Sequence, residues 1–135
     1  MSPRLLFTVN GLFLAVIGGV QVVFELVGHR FGVGPLGDIF DGSYLTIGWV
    51  EAHGQAFLVG LLFLLVARHD PRAYWHRFAL ALHVLLGGAN VYFWDSFVHY
   101  GLVPMGIAAT AAHAALVVAH AWCLRRFARA VTLPR

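Results

Sequence analysis

Four apolar runs divide the chain. Leu5 to Val27 is broken only by Thr8, Asn10, Gln21, Glu25 and a few glycines. The second run is Leu45 to Ala67, the third about Trp75 to Tyr100 and the fourth about Met105 to Leu124. At about 1.5 Å of rise per residue, each run can cross a hydrocarbon core of roughly 30 Å. The pattern predicts an all-α membrane protein, a four-transmembrane-helix bundle with short loops. Its helices fall at about 5–27, 45–67, 75–100 and 105–124 of a single integral membrane domain, 1–135. The first run is too long, and followed by too many further spans, to read as a cleaved signal peptide.

The breaks between runs are ordinary turn chemistry. Residues 28–44 carry Gly32, Gly34, Pro35, Gly37, Asp38, Asp41 and Gly42; Asp70-Pro71 opens the second connection, and Gly101 to Pro104 makes a tight third one. Arginine placement sets the predicted orientation. Arg4, then Arg68, Arg72 and Arg77, then Arg125, Arg126 and Arg129 flank the two termini and the second connection, whereas the first connection has only Arg30 and the third none. By the positive-inside rule both termini are expected to be cytoplasmic, in a multi-pass protein of a bacterial-type inner membrane.

Composition agrees. The chain is 60% hydrophobic and 11% charged, about half the charge of a soluble domain. Lysine is absent, so Schiff-base chemistry is excluded. The arginines sit beside helix ends instead of forming a patch, which argues against nucleic acid as a partner. Cys123 is the only cysteine, too few for a disulfide or a cysteine metal cluster within one chain.

The candidate chemistry lies in polar residues at membrane depth, where an unpartnered charge costs roughly 2.5–3.5 kcal/mol. Helical phase puts Asn10, Ile17, Gln21 and Glu25 on one stripe of the first helix, and Gly48, Glu51, Gly54 and Gln55 on one of the second. His76, His83 and Asn90 recur by sevens on the third, with Trp94 one turn on; Gly106, Thr110, His113, Val117 and His120 share a face of the fourth. Glu25, Glu51 and Asp95 are expected in the outer third, Gln55, Asn90 and His113 near the middle, and His83 and His120 in the inner third. His53 lies about 200° around the helix from Glu51 and fits no single stripe.

Four functions are compatible with this set. A b-type haem protein would take one histidine from each of two helices as iron ligands: His83 with His120, both on polar stripes, or less well His53 with His113. A lipid-phase acid–base enzyme (an isomerase, hydratase or cyclase) would use Glu25 and Glu51 as buried carboxyls, with Asn90 and His113 orienting a lipophilic substrate or quinone and the first loop, with Phe40, as a lid. A proton path would use the carboxylates and histidines as relay stations; an accessory role in a homo-oligomer or larger membrane complex would use them as fastenings. No closely spaced histidine motif supports a di-iron or zinc enzyme, and His69 and His76 read as cytoplasmic-side residues that need no special role.

Overall fold

The computed structural model describes residues 2–132, with side chains as far as 128; Arg129, counted above among the flanking arginines, lies outside the described side chains. Its described elements are all helical: α1 (Pro3–Phe31), α2 (Gly37–Phe40), α3 (Thr46–His69), α4 (Ala73–Tyr92), α5 (Trp94–His99) and α6 (Val103–Thr132). Three of them, Pro3–Phe31, Thr46–His69 and Val103–Ala128, are long and apolar enough to cross a membrane. The chain divides into two compact units, Met1–His69 and Asp70–Arg135.

The first unit is an antiparallel hairpin of α1 and α3. Ser2 caps α1, its hydroxyl accepting from the Leu5 N–H at 3.2 Å, and Pro3 supplies the preset φ of a first helical turn. The helix ends at Gly32, whose φ of +62° is open to glycine at little cost. The two helices touch backbone to backbone. A Cβ on Gly60 would stand 2.4 Å from the Ala15 nitrogen, one on Gly11 2.8 Å from the Gly60 carbonyl oxygen, and one on Gly18 2.7 Å from the His53 carbonyl oxygen. Small residues on the facing surfaces permit this close approach. Phe7 and Phe63, both fully buried, meet edge to face at 5.3 Å near one end.

At the other end the connection folds back rather than hanging free. Phe40 of α2 is 1% exposed, packs edge to face on Trp49 at 5.7 Å and lies under Gly28. Its carbonyl oxygen is approached by His29 Nδ1 at 3.2 Å and accepts from the Thr46 hydroxyl at 3.4 Å. The residue expected to head a lid is a plug in the hairpin's end.

The second unit is the α4–α6 hairpin with α5 in its connection. The predicted continuous helix over 75–100 is broken: α4 stops at Tyr92, Phe93 turns at φ −97°, ψ 30°, and α5 restarts at Trp94. The sequence there, Val91-Tyr92-Phe93-Trp94, is β-branched and aromatic, a poor stretch for helix propagation. Phe97 of α5 lies against Gly106, where a Cβ would meet the ring at 2.7 Å. Beyond that, α4 and α6 run side by side. Asp70 pairs with Arg72 ahead of α4, in the turn that Asp70-Pro71 opens.

Candidate functional site

Each hairpin carries its buried polar groups on the seam between its helices. On α1 the buried seam contains Gly11, Gly18 and Glu25, seven residues apart; on α3 it contains Gly60 and His53, also seven apart. Where glycine ends the seam, Glu25 and His53 take over: Glu25 Oε1 pairs with His53 Nδ1, with Glu25 fully buried and the His53 side chain 24% exposed. The other carboxyl oxygen, Glu25 Oε2, is buried with no hydrogen-bond partner among the described residues. Asn10, toward the opposite end of α1, is also fully buried.

The stripe expected on α1 is therefore shifted. Ile17 is 48% exposed and the glycines, not Ile17, face α3. Glu51 corrects a second expectation, since it and Gln55 are exposed whereas Glu25 is buried. The two carboxyls read as an equivalent pair occupy opposite environments, because Glu51 lies on the far side of α3 from the glycine contact.

The second hairpin holds four histidines in a row. His76 and His83 on α4, and His113 and His120 on α6, are each seven residues apart, and the helices are antiparallel, so a step outward on one matches a step back on the other. His76 meets His120 with Nδ1···Nδ1 at 2.9 Å, and His83 meets His113 with Nδ1···Nδ1 at 2.9 Å. In each pair one Nδ1–H donates and the other Nδ1 accepts. Between the pairs, the His83 and His120 rings face each other at 6.2 Å, with planes 20° apart. His76, His83 and His120 are fully buried and His113 is 9% exposed. Phe127 covers the His76 end at 5.6 Å.

Seven residues of helix rise about 10 Å, so the two pairs stand at levels about 10 Å apart along the hairpin. The His83 and His120 rings are adjacent; His113 is joined to His83 within the second hairpin and His53 to Glu25 within the first. Asn90 continues the α4 series and is half-buried; Asp95 on α5 is exposed. His76, which the sequence reading leaves without a role, belongs to the buried row. Its signal was present in the seven-residue spacing, but its position near the start of the apolar run suggested an interfacial residue. Among the described residues no three His, Cys, Asp or Glu side chains converge as a metal site.

Beside the row is an open apolar groove of about 660 Å³, with His83, Gly87, Gly88, Tyr92, Thr110 and Val117 in its walls. No family model, curated protein or solved structure matches this chain.

Proposed function

We propose that this is a four-span membrane protein with cytoplasmic termini that relays protons along the histidine row of α4 and α6. The observation that carries the reading is the pair of Nδ1–Nδ1 hydrogen bonds joined by facing rings. A neutral imidazole holds a proton on one nitrogen and accepts on the other, so it can take up a proton on one side and release it on the other. Two such bonds lie at successive levels of a buried seam, with the His83 and His120 rings facing each other between them, and passage from one pair to the other takes a ring rotation that brings their other ring nitrogens together.

The fourth span is supported by pairing. α4 is 20 residues long, about 30 Å, and lies antiparallel against α6, which is itself long and apolar enough to cross. Its lower apolarity comes partly from His76 and His83, which point into the seam. Arginine placement supports cytoplasmic termini.

The test is proton flux into proteoliposomes containing the full chain and an internal pH-sensitive dye, driven by a potassium diffusion potential. Flux above that of protein-free vesicles is expected, with return to the leak rate in His120→Phe and His83→Gln. Wild-type flux indistinguishable from empty vesicles would end the proposal.

Haem b held by His83 and His120 is a second reading, favoured by one feature. Each ring has its Nδ1 fixed by another histidine, the orienting bond that ligating imidazoles need. It requires α4 and α6 to part, because a Cβ on Gly87 would stand only 3.2 Å from His113 Cβ. An absorption spectrum of the purified protein with haem supplied decides it: a Soret band lost in His83→Ala and His120→Ala supports ligation, and a colourless folded protein removes it.

A further inference from the structure

The end of the second hairpin away from α5 gathers positive charge. The His76–His120 and His83–His113 contacts fix the register of α4 against α6. Carried four residues past His76, that register sets Arg72 level with Leu124, within two residues, or about 3 Å, of Arg125 and Arg126. Arg77 lies five residues further into the hairpin, about 7.5 Å, a distance that a long side chain reaching toward water can span. Asp70 pairs with Arg72. Arg77, Arg125 and Arg126 are exposed and form no ion pair among the described residues, so three guanidiniums stand there without a counter-charge. The opposite end differs: between Asn90 and Gly106 the chain carries Asp95 and no arginine or lysine.

Aromatic residues mark the depth. Just inside the arginines the same register sets Tyr74 level with Trp122, and the two are 54% and 59% exposed. Tyrosine and tryptophan at the end of a membrane helix sit at headgroup depth, with the apolar body toward the chains and the polar atom toward water. Half a turn further out, the guanidiniums fall at the depth of lipid phosphates. Below the aromatic pair the surface is apolar, with Phe78 and Val118 exposed at one level.

We infer that this rim binds an anionic phospholipid. A guanidinium presents its N–H groups in the geometry of two phosphate oxygens. Three unpaired ones around one hairpin end favour a headgroup whose phosphate charge is not cancelled, such as phosphatidylglycerol, over one that carries a choline cation. The acyl chains lie along the surface at Phe78 and Val118, which a free phosphate ion would leave uncovered. The inference rests on the four-span reading for its depth and not on the relay.

The experiment reads the fluorescence of the full chain carrying Trp49→Phe, Trp75→Phe and Trp94→Phe, which leaves Trp122 at the rim as the reporter. The protein is reconstituted in vesicles with the same lipids in both leaflets, so its orientation does not enter. Either phosphatidylglycerol or phosphatidylcholine is brominated near the ester end of its chains, and bromine quenches tryptophan at short range. Phosphatidylglycerol is expected to bind about fivefold more tightly, the worth of one basic residue near an anionic surface. The preference should fall toward unity in Arg125→Gln/Arg126→Gln, and at about 1 M salt, where the screening length is about 3 Å. Arg30→Gln, in the first hairpin, should leave it unchanged. A preference that survives the loss of both arginines overturns the inference. So does one that inorganic phosphate removes at constant ionic strength, a result that assigns the rim to a free ion. Equal quenching by both lipids overturns the inference and leaves the four spans standing, whereas quenching by neither removes the α4–α6 spans and the surface with them.

Discussion

The histidine row makes a quantitative prediction about coupling. Replacing His76 or His120 by Ala removes a fully buried ring and leaves the partner's Nδ1 unmet. An unmet buried polar group costs about 1–3 kcal/mol, and the vacated volume adds to that, so each single change should destabilise by roughly 2–4 kcal/mol. The double replacement removes both halves of one bond. Its cost should fall short of the sum by about 0.6–1.7 kcal/mol, the range found for hydrogen bonds between membrane helices. His83 with His113 should give a coupling of the same size. His76 with His113 is the control, because the two stand about 10 Å apart along the hairpin and should add to within about 0.5 kcal/mol. The assay is equilibrium unfolding in mixed micelles, titrating sodium dodecyl sulfate and following helix content. Coupling below about 0.3 kcal/mol within both bonded pairs, or equal coupling in the control, would refute the geometry on which the relay depends.

Two other expectations follow from the first hairpin. Gly60→Ala puts a methyl group 2.4 Å from the Ala15 backbone nitrogen, so α1 and α3 must separate; overpacking of this kind costs about 1–3 kcal/mol in the same unfolding assay, whereas Gly48→Ala, with open space around it, should change little. Glu25→Gln removes the ionisable carboxyl from its bond with His53 and should destabilise by about 1–2 kcal/mol, while Glu51→Gln, on an exposed position, should stay within about 0.5 kcal/mol of wild type. Equal effects of the two substitutions would mean that the buried pair is misplaced.

Hydropathy revealed the helices because a lipid-facing surface must be apolar over its whole length, and that signal survives in α1, α3 and α6 without any knowledge of packing. The break at Phe93 was hidden because Tyr92, Phe93 and Trp94 are as apolar as a helix interior, and hydropathy does not register their reluctance to propagate a helix. Histidine spacing on α4 and α6 was legible as a stripe. What it could not reveal was register: His83 meets both His113 and His120, and only the antiparallel alignment brings His76 into the row. On α1 the bulky and polar residues drew attention to Ile17 and Gln21. The contact is made instead by Gly11 and Gly18; the sequence marks Gly18, with Gly19, Gly87 and Gly88, as permitting close helix approach, whereas Gly11, whose contribution is the absence of a side chain, leaves little mark on a hydropathy or polarity reading.

The two hairpins also bear on what the histidines are for. Both are antiparallel pairs with contact positions at sevens, the spacing that keeps one face of a helix turned toward its partner. The α1–α3 seam is built from glycine backbone contact and aromatic packing, and one polar pair, Glu25 with His53, closes its end. That seam shows that a hairpin of this chain can form without a row of buried imidazoles. Fastening alone therefore gives a weak account of the α4–α6 seam. Each hydrogen bond there contributes only about 0.6 kcal/mol on average in a membrane, and a single polar pair is enough to fix register. Four histidines in consecutive contact positions exceed that need, and every one of them meets another histidine, although an apolar pair would pack as well at lower desolvation cost. What the row supplies and an apolar seam cannot is a set of adjoining groups that each carry and accept a proton.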